Sequence, residues 1–381
     1  FNVAAKGAAY MKGMQDAGIL VTLKHFPGHG DTDVDSHYDL PQLNFTPERL
    51  DSLEMYPFKQ LINEGASGVM VAHMNIPSLD PTKNLPSTLS KPIITGILKN
   101  QLGFKGLIFS DAMDMKGVVK YFPNGEADVR ALIAGNDILE LSQNSDRAIR
   151  LIRKSIRQNK LDWDRINESV RKVLAAKYWV GLNNRTDIPT DKIHDYLLRP
   201  EALNLNQRLA DAAVTLLKGD DAIRQLDRGK RTAVVSVGSA EITTFQNMLK
   251  PVFTNSTTFL LGKNASTADI QSMLQSLQQY DQIIVGIFDT RKRPGGNLDY
   301  SNDVKLAIAQ LAKMNSIVSV FANPYTIAGL PGIEESKALL VNYQNSPELQ
   351  NSSARVLMGQ LTPSGKLPVT INSFFKNGDG L

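Results

Sequence analysis

From Phe1 to about residue 182, short apolar runs alternate with segments of helical periodicity, and this alternation constrains the fold more than any other feature. GILVTLK (18–24), SGVMVAH (67–73), GLIFSD (106–111) and NDILEL (136–141) are near-continuous apolar runs of strand length. Strands spaced by helices imply βα units and a parallel sheet, because a parallel neighbour is reached only by a crossover. The stretch from Thr46, TPERLDSLEMYPFKQLINEG, has a threonine N-cap, Glu48 two residues on and a closing glycine, and so predicts a helix. A further helix, DWDRINESVRKVLAAKYWVGL, ends at Gly181.

Residues 183–201 are polar and predict a linker with one helical turn. Beyond it a second set of strands follows: AVTLLKG (213–219), TAVVSVGS (232–239), TTFLL (257–261), QIIVGIF (282–288), SIVSVFA (316–322) and ALLVNY (338–343). Helical stretches such as TADIQSMLQSLQQY separate them, which predicts an open three-layer α/β/α sandwich over 202–381. A chain of 381 residues has material for two cores. Its net charge of +4 is spread without a run of five like charges, which gives a nucleic-acid partner little support. There is no cysteine, so disulfides, thiolate metal sites and cysteine nucleophiles are excluded. No apolar segment reaches the roughly 18 residues of a membrane helix.

In parallel βα folds the site lies at the carboxyl ends of the strands. Here three successive strands end on polar, ionisable residues: Lys24-His25, His73, and Ser110-Asp111. The loop after the first, KHFPGHGDTDVDSHYDLP, holds three of the five histidines and Asp31, Asp33, Asp35 and Asp39. A metal site of His25, His29 and His37 is the weaker reading, because Pro27, Gly28 and Gly30 forbid the helix that would align the first pair. His29 fits a residue that hydrogen-bonds the loop together. A phosphate cradle is disfavoured by the loop's own acids. Acid/base chemistry fits Asp35-Ser36-His37: a carboxylate beside an imidazole fixes its tautomer, and an extended segment would put both side chains on one face. A surface Asp-His pair without a role is the alternative. Asp111, emerging rigidly from a strand end, suits a carboxylate nucleophile in glycosyl transfer, or else a helix N-cap; Asp114 fits the N-cap better. Trp163 and Trp179 are expected in packing, and the basic turn RKRPGG (291–296) in solvent.

KHFPGHG with a downstream DSH, followed by a strand ending in SD-A-x-x-M, resembles glycoside hydrolase family 3, in its β-N-acetylglucosaminidase (β-hexosaminidase) branch. The resemblance implies Lys24 and His25 as sugar-binding residues, His37 with its partner Asp35 as acid/base, Asp111 as nucleophile, and His73 as a pocket histidine. It implies that residues 1–182 are the later part of a (β/α)8 TIM-type barrel, about four βα units, with residues 202–381 as the family's C-terminal sandwich. Eight strands close such a barrel, so the other half is expected upstream in the same polypeptide. The implied activity is retaining removal of terminal β-linked N-acetylglucosamine from a glycan of cell-wall origin, with no cofactor and no metal, in a bacterial extracytoplasmic setting. Two alternatives stand beside it: a phosphorylase, since a neutral histidine base does not repel phosphate, and a non-catalytic glycan-binding or scaffold protein.

Overall fold

The computed structural model describes every residue except Asp33, His37, Arg185, Thr186 and Ile188. The chain forms two compact units, Phe1–Ile188 and Pro189–Leu381.

In the first unit, β1 (Thr22–Phe26), β2 (Gly68–Val71) and β3 (Leu107–Ser110) form a parallel sheet in the order β1-β2-β3. Crossovers are made by helices, among them α2 (Tyr56–Asn63) and the segment Pro92–Gln101. Phe26, Val69, Val71 and Ile108 are fully buried and pack on Leu50, Ile94 and Leu98 from those crossovers. α1 (Asn2–Asp16) covers another patch through Met11 against Leu61. β1 pairs only with β2, so among the described residues its other edge is open.

The predicted helix from Thr46 begins as expected, with the Thr46 hydroxyl accepting from the Arg49 amide at 3.3 Å. It then widens, the Met55 amide reaching the Leu50 carbonyl at 2.8 Å, before α2 resumes. Pro57, which has no N–H, sits where the helix re-forms. The fourth predicted strand, NDILEL, shrinks to one parallel bridge between Phe109 and Ile138. Among the described residues no strand lies on its far side, and they form no closed barrel. Its start is instead fixed by side chains. Asp137, whose carboxylate is wholly buried, accepts from the Ile108 amide at 3.0 Å and the Ser169 hydroxyl at 2.5 Å, and pairs with Arg165 and Lys172 at 3.3 and 3.2 Å. The last three donors lie on α6 (Trp163–Trp179), which is thereby tied to the sheet through polar groups.

The other face of α6 corrects one expectation. Trp163 and Trp179 are 61% and 55% exposed, and Val170, Leu174 and Tyr178, which share the face of Trp163, are exposed as well. The helix has spent its inward face on the Asp137 cluster, and nothing described covers its apolar side.

The second unit is a mixed sheet in the order β4-β9-β8-β7-β5-β6. The strands are β4 (Thr215–Lys218), β5 (Thr232–Val237), β6 (Ser256–Leu261), β7 (Gln282–Phe288), β8 (Ile317–Phe321) and β9 (Ala338–Val341). Only β4 runs antiparallel, against β9. Successive residues of β5 alternate between two cores: Val235 and Val237 meet residues of helices 267–277 and 302–313, whereas Val234 meets those of helices 244–249 and 347–357. Two-sided burial is why its strands read as unbroken apolar runs. The RKRPGG turn is only partly solvated, because Arg291 grips Asp289 at 2.6 Å and the Asn297 carbonyl at 2.7 Å; Lys292 and Arg293 are exposed. Among the described residues no helix is long and apolar enough to cross a membrane.

Candidate active site

The strand ends align. Val71 of β2 is opposite Phe26 of β1 and Ser110 of β3, so the residues beside this row emerge together at the carboxyl edge. The β1–β2 register slips between Leu23 and Phe26, and Lys24 and His25 sit in that irregularity, where a bulge re-aims side chains. The Lys24–His25 and Phe26–Pro27 peptide bonds are cis. Gly28 then turns with φ at 143°, passing so close to Glu54 that a Cβ would collide with it.

Asp111 leaves β3 with its amide bonded to the Val71 carbonyl at 3.0 Å. One carboxylate oxygen accepts from the Ala112 amide at 2.9 Å; the other lies 3.8 Å from Nε2 of His25. The carboxylate is 18% exposed and the imidazole 30%, so both are reachable from one side. β1 and β3 flank β2, and the sheet thus brings two residues 86 positions apart in sequence to one point.

His73 is fully buried. Its Nε2 donates to the Ala112 carbonyl at 3.0 Å, and Nδ1 lies 2.8 Å from the Thr88 hydroxyl. That hydroxyl is also 2.5 Å from the Ala72 carbonyl, and its single proton serves one of the two at a time. Burial lowers the His73 pKa, against the pull of the Asp111 charge, and favours a neutral ring. The ring therefore stands behind the Asp111 turn, with both nitrogens engaged. Asn136 extends the support by donating to the Thr88 carbonyl at 2.9 Å, and Ser110 by accepting from the Glu140 amide at 2.9 Å. Thr88 and Asn136 carried no sequence signal; their role comes from contacts 15 and 48 residues long.

The loop after β1 departs from the expected geometry. The Asp35 carbonyl accepts from the amides of Tyr38 and Asp39 at 2.9 and 3.2 Å, so Asp35, Tyr38 and Asp39 do not lie along an extended chain. The expected pairing of Asp35 with His37 falls on His37, which lies outside the described residues, as does Asp33. What is described shows where the loop rests. Ser36 is buried, and its carbonyl and that of Asp39 lie so near Gly117 that a Cβ there would stand 3.1 Å from each oxygen. Gly117 belongs to α3 (Lys116–Val119), six residues after Asp111. Asp39 is pinned by Lys120 at 2.8 Å, and this hydrogen bond lowers the Asp39 pKa and raises that of Lys120. His29 lies 3.5 Å from the Thr32 hydroxyl and edge-on to the His25 ring at 6.1 Å.

Asp114 is not an N-cap. That position is taken by Met115, without a side-chain bond, because burial of Met113 and Met115 turns Asp114 outward. Among the described residues no group of three His, Cys, Asp or Glu is placed to hold a metal ion. A largely apolar cavity of about 810 Å³ runs along β1 and α1; Lys24, His25, His29 and Asp31 line it, and Asp111 does not.

The model of the glycosyl hydrolase family 3 N terminal domain matches residues 2–176, and that of the glycosyl hydrolase family 3 C-terminal domain matches residues 126–377. The chain belongs to glycosyl hydrolase family 3. Within this family of glycosidases it is 26% identical to beta-hexosaminidase A of Pseudoalteromonas piscicida over 97% of this chain and 69% of that protein. It is 24% identical to a beta-N-acetylglucosaminidase/beta-glucosidase of Cellulomonas fimi, with the same coverage. A solved family 3 beta-N-acetylglucosaminidase from Paenibacillus sp. str. FPU-7 superposes with a TM-score of 0.76 at 29% identity, covering 97% of this chain and 70% of that one.

Proposed function

We propose that this family 3 chain carries the catalytic residues of a retaining β-N-acetylhexosaminidase, with Asp111 as nucleophile. The observation that carries the reading is the convergence of His25 on Asp111 at 3.8 Å, at aligned strand ends. Asp111 attacks the anomeric carbon, forming a glycosyl ester, while His37 in its protonated form gives its proton to the departing oxygen. Neutral His37 then takes a proton from water, which attacks the ester, releases the sugar and restores both groups. Asp35 orients and charges the imidazole, and Lys24 and His25 bind sugar hydroxyls. The seat of Ser36 against Gly117 supports this assignment by tying the Asp-Ser-His segment to the helix that follows Asp111. His73 contributes from behind, through the Ala112 carbonyl.

The first unit reads as the later half of a (β/α)8 barrel, catalytic over 1–182, joined by residues 183–201 to an α/β/α sandwich over 202–381. The open β1 edge and the apolar cavity beside it support completion by further βα units. Relatives named for β-N-acetylglucosaminidase activity support an N-acetylglucosamine-containing substrate; its removal as a terminal sugar, from a glycan of cell-wall origin, is part of the proposal.

The test is turnover of a chromogenic N-acetyl-β-glucosaminide by the full-length polypeptide. Activity that survives Asp111→Ala would sink the assignment. Removing His37 should hurt substrates with poor leaving groups far more than those with good ones, which need little protonation. Sugar 1-phosphate formed in phosphate buffer would move the reaction to phosphorolysis.

A further inference from the structure

The most strongly charged element borders a cavity that Asp111 does not line. Between Asn144 and Lys160 the sequence holds six cations, Arg147, Arg150, Arg153, Lys154, Arg157 and Lys160, against the single acid Asp146, in a chain whose whole net charge is +4. Most of this segment is the helix α5 (Ser145–Arg157). All six cations are exposed, and among the described residues none has an ion-pair partner.

Three of them, Arg147, Lys154 and Lys160, join Lys91 and Arg130 around a cavity of about 640 Å³ between α5 and α4 (Glu126–Ala134). Its floor is apolar, made by Val129, Ile133 and Leu151. Glu126 is the one acid on its wall among the described residues, and it is committed to Arg130 at 2.8 Å. Four cations are left facing one concave space without a counter-charge, an arrangement that repels itself until an anion enters.

We propose that this groove binds a segment of anionic polysaccharide, with carboxylates or phosphodiesters on the cationic rim and sugar C–H faces on the apolar floor. The volume is that of a small-ligand pocket, about 300–1,000 Å³, which the flat surface of a lipid bilayer does not enter. Among the described residues no aromatic ring lines the cavity, and these offer no stacking platform of the kind that single-stranded nucleic acids use. The anion site stands on the groove alone, whereas the choice of a glycan as its carrier rests on the proposed glycosidase activity. The groove would hold a charged polymer while its end is processed elsewhere.

The experiment is a binding titration on the chain as it stands, at low and at high salt, with no turnover read out. The probes are polygalacturonate, poly(glycerol phosphate), neutral chito-oligosaccharide, single-stranded DNA and phosphatidylglycerol vesicles. The triple variant Arg147→Ala, Lys154→Ala, Lys160→Ala alters exposed side chains only, and its circular dichroism should match the parent. It should bind the preferred anionic glycan about tenfold or more weakly at low salt, with a shallower salt dependence. The control pair Lys292→Ala, Arg293→Ala, in the exposed turn of the second unit, should bind like the parent. The two anionic glycans separate carboxylate from phosphodiester recognition. An equal loss in the control, no binding of either anionic glycan, or tighter binding of DNA or vesicles through the same residues would overturn the proposal. Because no bond is cleaved, failure here and failure of Asp111 as nucleophile are seen separately.

Discussion

The two units hold their sheets in different ways. The second packs six strands between helices on both faces, with Phe321 stacked on Phe288 at 4.7 Å and edge-on to Phe245 at 5.2 Å. The first packs three strands, leaves β1 open, and fixes the start of its would-be fourth strand through the buried Asp137 cluster. A core made of dispersion and apolar burial tolerates small movements; a buried charge held by three side-chain donors requires them all. The unit with the thinner core is also the one that carries the candidate chemistry, on strand ends where polar groups replace packing.

The largest expected effect tests whether the chemistry belongs to the first unit at all. Asp111→Ala in the full-length polypeptide should lower turnover of an N-acetylglucosaminide by about three orders of magnitude or more, read as kcat with a good leaving group. Next, Phe321→Ala should cost the second unit about 3–5 kcal/mol, because the ring is fully buried between two others. Denaturant unfolding followed by hydrogen exchange should place that loss in residues 189–381 alone; an equal loss of protection in the first unit would show that the two unfold as one. Asp137→Ala is the mirror experiment. Removing the carboxylate leaves Arg165 and Lys172 without their shared buried partner, and should cost the first unit about 3–5 kcal/mol while sparing β4 to β9.

The smallest effect is a pH response of the loop. The Asp39 pKa lies below its ordinary value, so the Lys120 contact favours the fold above the usual carboxylate range and is lost as pH falls through the lowered value. The Lys120 pKa is raised, so its share is lost only as pH rises through that higher value. Carboxyl NMR titration of Asp39, repeated in Lys120→Met, should show the acid midpoint move up; an unmoved midpoint would remove the tether.

The fold was legible where local pattern and final environment agree. The runs that became β5, β7 and β8 are buried on both faces, and an unbroken apolar string can do little else in a sheet. The place of Asp111 at a strand end was legible because a polar residue closes such a run. NDILEL misled for the same reason in reverse: its apolar residues are real, but pairing depends on neighbours that local composition does not encode. The tryptophans were misjudged because ring size says how much surface could be buried, not whether a partner is present. Thr88 and Asn136 were invisible, since a buried threonine or asparagine looks like any loop residue until the fold brings it to its carbonyl or ring partner.

The seat of Ser36 on Gly117 has a consequence for anyone who would retune the protein. With Asp39 leashed to Lys120 on one side and no room for a side chain on the other, the residue at 117 acts as a shim under the loop. A single methyl there must push two carbonyl oxygens aside by a few tenths of an ångström. Gly117→Ala is thus a graded adjustment of height, made without replacing any side chain proposed to bind, protonate or attack the sugar.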